Sequence, residues 1–462
     1  MTKKKSDTGS FRDPSGFIFY ANGILFRQVN TCYKEQYDLL MSSGLYDSLV
    51  EDNLLISHKE MNKLFKKDDC AYKIIQPEKI DFVSYPYEWC FSQLKDAALL
   101  TLEIQKKAME KGMCLKDASA YNIQFLHGKP IFIDTLSFDI LKKGAPWVAY
   151  KQFCQHFLAP LALQSYTDVR LNSLTKCYID GLPLDLVNKL LPFKSNFSFG
   201  IFSHILLHSK SQQKYGGKNI DSKKYSTSMS ENSLLGLVDS LESTIKNLKL
   251  NLKGTEWEDY YVDNNNYSSE SFDFKMQFVM NCVNEEKPFM VWDIGANDGK
   301  FSELAAKEGC CTISMDIDPV CVERNYLQRT STGIYNMLPL IFDITNPSPG
   351  IGWDNTERKT LFERGPADMV LALALVHHLA ISNNLPLRKI AEYFEKIART
   401  LVIEFVPKTD SQVKKLLSSR EDIFQEYTIK DFEKEFSFFF TIENSQQIVN
   451  SERTIYFMRN KK

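Results

Sequence analysis

The stretch VWDIGANDGKFSELAAKEGCCTISMD, from Val291 to Asp316, decides the fold of the C-terminal half. An apolar run ends in Asp293, a short loop with Gly295 and Gly299 follows, and a helical segment leads to a second apolar run that ends in Asp316. This order of strand, glycine loop, helix, strand and acid predicts a βαβ unit that holds a nucleoside. Glycine lets the backbone approach a ligand where a Cβ atom would clash, and the final carboxylate can accept hydrogen bonds from ribose hydroxyls.

Two classes of cofactor use such a unit, and the loop sequence separates them. The dinucleotide fingerprint G-x-G-x-x-G cradles a pyrophosphate with backbone amides and a helix N-terminus. This chain has G-x-N-x-G preceded by Asp293, and an acid beside the loop would repel a pyrophosphate but suits a cationic amino-acid end. The segment resembles motif I of the class I methyltransferases that use S-adenosylmethionine (SAM), where D-x-G-x-x-x-G is usual. Asn297 replaces the frequent central glycine, and Asn enters left-handed conformations more readily than most residues.

The rest of the C-terminal half continues the strand and helix alternation. Further strands are predicted at LPLIFDI (338–344), ADMVLALALVHHL (367–379, opening into a loop) and LVIEFVPK (401–408), with a closing pair at FSFFFTIE (436–443) and RTIYFMR (453–459). Near-continuous apolar strands between helices predict a parallel sheet that is covered on both faces. The predicted fold class is therefore α/β, with a Rossmann-like methyltransferase sheet that ends in an antiparallel edge hairpin.

The resemblance implies where SAM would bind. Asp316 would hold the ribose, and the family's acid that corresponds to Asp343 binds the adenine amino group. The predicted cofactor-binding residues are Asp293, Gly295, Asn297, Gly299, Asp316, Ile317, Asp343 and Ile344.

A hydroxyl acceptor also needs a base that is poised near neutral pH, and His378 is the first candidate because it lies just past the predicted fourth strand. His377 is the second candidate, and either ring has the alternative role of a packed histidine. Asn383 and Asn384 are predicted to bind substrate or to mark a turn. Glu404 is predicted either to hold substrate or a base, or to join a structural network. The N/D-P-P-Y signature of amide and amine methylation is absent, which favours an oxygen acceptor, and no residue spacing predicts a metal site.

Composition places the domain boundaries. Residues 1–208 are predicted to form an accessory domain, 209–232 a linker rich in Ser, Lys and Gly, and 233–462 the methyltransferase domain. The segment 234–250 has helical apolar spacing and is predicted to lead into the catalytic domain. A polar stretch before motif I carries Tyr260, Tyr261 and Tyr267. These aromatic residues are predicted to form a lid over SAM or substrate, with a surface loop as the alternative.

The N-terminal half has its own pattern. The segment 17–29 predicts a hairpin around Asn-Gly, and 89–112 predicts an amphipathic helix that ends at a glycine. Asp117 and Asn122 then stand in D-x-x-x-x-N spacing, and Asp134 follows a short apolar strand. This resembles the catalytic loop and metal-binding acid of protein kinases and aminoglycoside phosphotransferases, which implies a kinase-like α+β accessory domain.

Departures from the kinase pattern indicate that this domain is inactive in phosphoryl transfer. No glycine-rich nucleotide loop is visible, and Arg27 stands in LFRQV where a V-A-I-K-like lysine would be expected. Without a phosphate cradle, the main electrostatic support for transfer is lost. The alternative is that Asp117, Asn122 and Asp134 cap turns in an unrelated fold.

Composition excludes several classes of protein. A formal charge of −2 on 462 residues gives no steering toward nucleic acid, and no apolar run reaches the roughly 18 residues of a membrane helix. Ten cysteines without a C-x-x-C pair predict neither a disulfide framework nor a zinc site, so we expect a reducing cytoplasm. Oligomeric state is open.

Taken over nearly its full length, the chain resembles the two-part methyltransferases related to rhizobial nodulation host-specificity proteins. The resemblance is carried by DPSGFIFYANGILFRQV, SYPYEWCFSQLKDAALLTL, KDASAYNI, FIDTLSF, ALALVHHLAISNN and IEFVPKTDSQV. It implies methyl transfer from SAM, with the hydroxyl of a glycan or glycan precursor as the expected acceptor. The alternatives are a methyltransferase of a small secondary metabolite, a bifunctional methyltransferase and phosphotransferase, and a non-catalytic SAM-binding regulator.

Overall fold

The computed structural model describes residues 5–61, 70–207, 229–250, 268–418 and 421–462. The described residues separate into two compact units. The N-terminal unit comprises Met1–Asn251 together with Ile351–Arg358, and the C-terminal unit comprises Leu252–Gly350 and Lys359–Lys462. The domain boundaries read from composition stay a prediction.

The N-terminal unit contains a five-stranded antiparallel sheet in the order β1-β2-β3-β5-β4 and two smaller strand pairs, β6 with β9 and β7 with β8. Its strands are β1 (Lys5–Ser6), β2 (Gly16–Ala21), β3 (Ile24–Asn30), β4 (His58–Glu60), β5 (Ala71–Pro77), β6 (Met113–Leu115), β7 (Ile123–Leu126), β8 (Lys129–Phe132) and β9 (Phe138–Ile140). Its α-helices are α1 (Lys34–Ser42), α2 (Leu45–Glu51), α3 (Phe91–Glu110), α4 (Tyr150–Phe153), α5 (Ala159–Tyr166), α6 (Leu174–Cys177), α7 (Leu184–Leu190), α8 (Phe199–Ile201) and α9 (Glu231–Asn247).

Two local predictions for this unit are confirmed. Strands β2 and β3 pair as a hairpin, and both turn residues have positive φ, 51° at Asn22 and 77° at Gly23. This is the geometry of the turn whose twist matches that of the flanking strands. The predicted amphipathic helix is α3, and the chain leaves it through Gly112 at φ 70°. Glycine ends a helix in this left-handed conformation without a Cβ clash.

Helix α9 fulfils the prediction of a helix near 234–250, and it packs against α3 of the N-terminal unit. The Nζ atom of Lys106 forms ion pairs with Asp239, at 2.5 Å, and with Glu242. Apolar spacing in the sequence shows that a helix buries one face but not which neighbour covers that face.

The C-terminal unit is built on a seven-stranded sheet in the order β12-β11-β10-β13-β14-β16-β15. Neighbouring strands from β12 to β14 are parallel, and β16 is antiparallel to both β14 and β15. The strands are β10 (Met290–Ile294), β11 (Cys311–Asp316), β12 (Met337–Ile341), β13 (Ala367–Ala372), β14 (Ala398–Phe405), β15 (Phe440–Gln447) and β16 (Thr454–Asn460). This is the predicted Rossmann-like methyltransferase sheet with its antiparallel edge hairpin.

One helix precedes the first of these strands and others connect them, because parallel strands need crossover connections. They are α10 (Ser269–Glu286), α11 (Lys300–Lys307), α12 (Pro319–Thr332), α13 (Leu361–Arg364), α14 (Leu387–Ile397), α15 (Ser411–Leu417) and α16 (Ile429–Phe436). Phe278 and Val279 of α10 pack against Val291, Met369 and Val402 of the central strands. The core of the unit therefore lies between its sheet and the surrounding helices.

The predicted ends of three strands are wrong. The third strand ends at Ile341, so Asp343 lies two residues beyond it, and the fifth strand spans Ala398–Phe405 rather than 401–408. The run FSFFFTIE was predicted to be a strand from residue 436, but Phe436 is the last residue of α16. Phe432 and Phe436 are fully buried one helical turn apart, and their ring centroids are 4.3 Å apart. The first residue of the run therefore belongs to the apolar face of α16.

Among the described residues, no helix is long and apolar enough to cross a membrane.

Candidate functional site

The loop after β10 has the backbone conformation that its sequence predicts. Gly295 and Gly299 both have φ of 79°, and Asn297 has φ of 53°. A Cβ atom on Gly299 would lie 2.3 Å from the Nδ2 atom of Asn325, so only glycine fits there. The amides of Gly295 and Ala296 both donate to the carbonyl of Met315, at 2.9 and 3.0 Å, which fastens the loop to β11.

Asp316 ends β11 beside this loop and is half-buried. Its Oδ2 atom accepts the amide of Asn297 at 2.7 Å, and its Oδ1 atom accepts the amide of Asp318 at 2.9 Å. Burial raises the pKa of this carboxyl, and the two amides act against that rise. A carboxylate has about four lone-pair sites, so both oxygens retain capacity for ribose hydroxyls. Ile317 follows with 60% of its surface exposed, which leaves an apolar face next to the carboxylate.

Asp293 has a different environment from the one expected. It is buried, and its Oδ2 atom accepts the hydroxyl of Ser302 on α11 at 2.6 Å. The same hydroxyl lies 2.8 Å from Ser314 Oγ, which accepts Asn325 Nδ2 at 2.8 Å. Burial raises the pKa of Asp293 to about 7 although Ser302 stabilises the charged form. The carboxyl therefore belongs to a buried polar network of Asp293, Ser302, Ser314 and Asn325, and direct contact with a cofactor stays a prediction.

Asp343 lies at the same edge of the sheet, beyond the end of β12. Its Oδ1 atom accepts the amide and the hydroxyl of Thr345 at 2.8 and 2.7 Å, which turns the chain sharply. The amide of Phe342 donates to the carbonyl of Asp316 at 2.7 Å, so the ends of β11 and β12 are joined. Ile344 is half-buried in this turn. Parallel strands thus bring Asp316 and Asp343 to one edge, as the sequence predicts.

The histidine pair lies beyond the carboxyl end of β13. Ala374 has φ of 52°, a conformation that strains a side chain with a Cβ atom. The rings of His377 and His378 are 4.2 Å apart, and a π-helical turn spans His378–Ser382. His377 is buried, and burial lowers its pKa to about 3. His378 is half-buried, and burial lowers its pKa as well.

The two asparagines end this turn. The Nδ2 atom of Asn383 donates to the carbonyl of His378 at 3.0 Å, and Asn384 has φ of 55°. Both positions suit chain reversal, because Asn tolerates left-handed backbone and bonds to nearby carbonyls. Contact with a substrate stays a prediction for both residues.

Glu404, near the end of β14, is fully buried in an ion network that links four side chains. Lys275 Nζ lies 2.7 Å from its Oε2 atom, and Arg453 Nη1 lies 3.3 Å from its Oε1 atom. Arg453 also donates to both carboxylate oxygens of Asp410, at 2.8 and 3.1 Å. The amide of Ala374 donates to Glu404 Oε2 at 3.0 Å, so the network holds the start of the loop that carries the histidines.

A groove of about 760 Å³ adjoins this network at the carboxyl edge of the sheet. It is lined by Ser271, residues 409–411 after β14, and residues 447–453 of the β15–β16 turn. Its walls are mainly polar and include Asp410 and Arg453. A larger groove of about 880 Å³ lies at the amino edge, where Asp368 and Arg399 pair, away from the predicted cofactor loop. Tyr260, Tyr261 and Tyr267 of the predicted lid lie outside the described residues.

The N-terminal unit brings its predicted residues together. Asp134 Oδ1 pairs with Arg27 Nη1 at 2.5 Å, and its Oδ2 atom accepts the hydroxyl of Ser137 at 2.7 Å. Asn122 Nδ2 donates to Ser137 Oγ at 3.1 Å. Burial and the charge of Asp134 raise the pKa of Asp117, and a hydrogen bond with Asn122 acts against that rise. The carboxylates of Asp117 and Asp134 also accept amides two residues ahead, the turn-capping role that was the alternative.

Comparison with known proteins supplies the family. No protein-family model matches the chain. It is 34% identical over 456 residues to the nodulation protein NoeA of Rhizobium meliloti (strain 1021), a match that covers 97% of this chain and 94% of that protein. The chain belongs to the NoeA family.

Several solved structures are similar to part of it. The N-methyltransferase NodS of Bradyrhizobium japonicum WM9 is 13% identical, with 42% of this chain and 99% of that chain covered and a TM-score of 0.32. The magnesium protoporphyrin IX methyltransferase ChlM of Synechocystis PCC 6803, solved with SAH, is 17% identical over 41% of this chain and 84% of that chain, with a TM-score of 0.31. The bifunctional kinase-methyltransferase WbdD is 12% identical over 41% of this chain and 39% of that chain, with a TM-score of 0.29.

The sequence reasoning missed the partners that fix the site within this NoeA-family chain. Lys275 and Arg453 are far from Glu404 in sequence, and no local spacing indicates that they meet it. Ser302 and Asn325 carry a weak signal, since each is a polar residue on a helix face that the sheet buries. Among the described residues, no group of three or more His, Cys, Asp or Glu side chains is arranged to hold a metal ion.

Proposed function

We propose that the chain is a SAM-dependent methyltransferase whose C-terminal unit binds the cofactor and carries out the transfer. The observation that carries this proposal is Asp316 at the end of β11, held by the amide of Asn297 and open to further hydrogen bonds. It stands at the carboxyl edge of a sheet with the methyltransferase strand order. In an open α/β sheet, ligands bind at that edge.

The loop geometry favours SAM over a dinucleotide. A pyrophosphate site needs backbone amides that point at the phosphates. Here three successive amides are already used, because those of Gly295 and Ala296 donate to Met315 and that of Asn297 donates to Asp316. SAM needs no phosphate cradle, and its ammonium and sulfonium groups suit a loop with carboxylates nearby. Asp343 would reach the adenine, and Ile317 would pack against its ring.

SAM supplies an activated methyl group whose carbon–sulfur bond breaks as the acceptor oxygen attacks. The protein must align the acceptor with the methyl group, exclude water and remove the hydroxyl proton. We propose His378 as the residue that takes this proton, because its half-buried ring is neutral at physiological pH. His377 is the weaker candidate, since burial lowers its pKa to about 3 and makes it a poor base.

Glu404 is better suited to positioning than to proton transfer. Both of its oxygens are engaged by Lys275, Arg453 and the amide of Ala374. These contacts occupy the lone pairs that would otherwise accept a proton from a substrate hydroxyl. We propose that it fixes the loop that carries the histidines.

The acceptor that we propose is a hydroxyl of a glycan or of a glycan precursor. The polar groove beside Arg453 supports this, since carboxylate, amide and hydroxyl groups on residues 409–411 and 447–453 can bond to the hydroxyls of a sugar. A small secondary metabolite with a hydroxyl is the second acceptor class. We also propose that the enzyme acts in the cytoplasm.

The test combines cofactor binding with transfer to a panel of glycan precursors and small hydroxylated metabolites. In the His378→Gln variant, transfer is expected to fall by about 10²–10⁴-fold, the usual contribution of a general base, while SAM affinity is unchanged. Transfer that persists in this variant would exclude His378 as the base. If the wild-type chain binds SAM but transfers no methyl group, the regulator alternative is favoured.

A second candidate function rests on the cluster of Asp117, Asn122 and Asp134 in the N-terminal unit. This cluster has the residue types of a phosphotransferase site, although Arg27 occupies one oxygen of Asp134. Binding of Mg·ATP that is lost in Asp134→Ala would support a bifunctional enzyme. Unchanged binding in that variant, or none in the wild type, would leave the cluster with its turn-capping role.

A further inference from the structure

The segment between α7 and the end of α8 exposes its large aromatic side chains and buries small residues. Phe193, Phe197 and Phe199 expose 78, 82 and 78% of their surface, whereas Ser195 and Gly200 in the same segment are buried. Large aromatic side chains are normally among the most buried residues of a soluble domain. A cluster of three such exposed rings within seven residues marks an interaction surface.

Two contacts hold the backbone of this segment. A Cβ atom on Gly200 would lie 1.9 Å from Thr244 Oγ1 of α9, which shows that α8 rests directly on that helix. The hydroxyl of Ser195 donates to the carbonyl of Pro192 at 2.8 Å and closes the turn beneath the rings. Phe193 and Phe197 pack edge to face, with centroids 5.8 Å apart. Phe193 and Phe197 therefore form one exposed pair, and Phe199 follows two residues further along the chain.

The charged side chains within this segment have one sign. Lys189 and Lys194 are exposed beside the rings, and Leu190 adds another exposed apolar side chain. No Asp or Glu occurs from residue 186 to residue 207. Protein–protein interfaces are enriched in aromatic residues but depleted in lysine. A segment that exposes apolar rings together with lysines, and that has no acid of its own, matches the interface of an anionic bilayer.

We propose that Phe193, Phe197 and Phe199 form a docking surface for a membrane that contains anionic lipid. The three rings would enter the boundary between headgroups and acyl chains, and the ammonium groups of Lys189 and Lys194 would contact lipid phosphates. Binding is peripheral and reversible, because one short patch cannot anchor a chain permanently. The surface lies within the N-terminal unit and is independent of the methyl transfer proposed above.

The test is co-sedimentation of the full-length chain with vesicles of phosphatidylcholine alone and with vesicles that also contain phosphatidylglycerol. Binding is expected only to the second kind, and added salt should weaken it. The triple variant Phe193→Ser, Phe197→Ser and Phe199→Ser should bind at least roughly tenfold more weakly. The matched control replaces three exposed apolar residues elsewhere, Phe11, Leu327 and Ile423, by serine and should bind like the wild type.

The double variant Lys189→Gln and Lys194→Gln keeps the rings and should lose the preference for phosphatidylglycerol. Circular dichroism checks that each variant is folded. SAM titration of the triple variant should give the same result as titration of the wild type, because the docking surface is independent of the proposed cofactor site. Equal vesicle binding by the triple variant and the wild type would overturn the proposal, as would no binding by the wild type. Sedimentation velocity that shows a dimer only in the wild type would also overturn it and assign the patch to self-association.

Discussion

At the scale of single residues, two carboxylates near the ends of neighbouring strands, Asp293 and Asp316, have contrasting surroundings. Asp316 is half-buried and bonds to two backbone amides, so its geometry is set before any ligand arrives. Asp293 is buried, and a serine hydroxyl is its hydrogen-bond partner. Asp316 is therefore the stronger candidate for a direct hydrogen bond to the cofactor, and direct contact by Asp293 stays a prediction.

Replacing Asp316 by Ala should weaken SAM binding by about tenfold or more. The physical reason is the loss of charged hydrogen bonds to the ribose, which are worth roughly 1.5–3 kcal/mol. Calorimetric titration measures the affinity directly. The control is Asp273→Ala, which removes an exposed carboxylate of α10. Equal SAM affinity in Asp316→Ala and the control would show that Asp316 does not hold the ribose.

Asp293 should make the C-terminal unit less stable as pH rises. Its pKa is about 7 in the folded chain and 3.8 without the fold, so the folded state binds more protons between these values. The stabilisation is present in full below about pH 4 and is lost as pH rises towards 7, by at most about 1.4 kcal/mol per pH unit. Asn mimics the protonated acid, so Asp293→Asn should gain stability over the wild type as pH rises. Urea unfolding at about pH 5 and about pH 7.5 tests this. If the difference in unfolding free energy between the variant and the wild type is the same at both pH values, the raised pKa of Asp293 is refuted.

At the scale of elements, the ion network around Glu404 connects the end of β14 with α10, the start of β16 and the loop after β13. Sequence periodicity predicts each of these elements, because apolar spacing reports which face is buried. It cannot predict that Lys275 and Arg453 converge on one carboxylate, since that depends on how the elements pack. The prediction of the strand start at Phe436 was wrong for a related reason. An apolar residue suits either a helix or a strand, and Phe436 packs against Phe432 one turn earlier on the same helix.

A double-mutant cycle should show strong coupling between Lys275 and Glu404. Lys275→Met or Glu404→Gln alone breaks a buried ion pair, which costs about 3–5 kcal/mol of unfolding free energy. The double variant should be less destabilised than the sum of the two, with a coupling energy of about 0.5–3 kcal/mol.

The control cycle uses Lys307→Met and Glu303→Gln, which remove an exposed pair on α11. Such pairs contribute about 0.3–0.5 kcal/mol. Urea unfolding supplies all the values. A coupling energy in the buried pair that is no larger than that of the exposed pair would mean that Lys275 and Glu404 do not stabilise each other.

At the scale of the whole molecule, chain order and spatial grouping differ. The segment Ile351–Arg358 belongs to the N-terminal unit although the chain on both sides of it belongs to the C-terminal unit. Glu357 is almost fully buried there and takes three contacts from the guanidinium of Arg12, while Arg358 lies 4.2 Å from the ring centre of Tyr121. The sequence shows no sign of this, because a short polar loop resembles any other surface connection.

Arg12→Ala should loosen this segment. The buried carboxylate of Glu357 would lose its cation, and because Arg12 is more than half exposed the expected loss is discounted to about 1 kcal/mol. Limited trypsin digestion should then cut after Arg358 on the order of fivefold faster. Arg170→Ala, which removes an exposed pair with Asp168, is the control and should leave the rate unchanged. No acceleration in Arg12→Ala would show that the pair does not hold the segment.

The two units also differ in how much the sequence predicted of them. In the C-terminal unit, apolar strands alternate regularly with helical segments. The sheet, and the edge at which Asp316 and Asp343 lie, could therefore be predicted. The N-terminal unit has short strands and many turns, so only its hairpin, α3 and the Asp117–Asp134 cluster stood out. The lid predicted at Tyr260, Tyr261 and Tyr267 stays a prediction.

The measurement that tests the central claim most directly is calorimetric titration of the full-length chain with SAM and with S-adenosylhomocysteine, with Mg·ATP as a parallel ligand. We predict micromolar binding of both adenosyl ligands at a single site, as expected for a site prepared by Asp316 and the loop after β10. Absence of adenosyl binding would contradict the proposal that the C-terminal unit binds SAM. Binding of Mg·ATP alone would indicate that the activity belongs to the N-terminal unit.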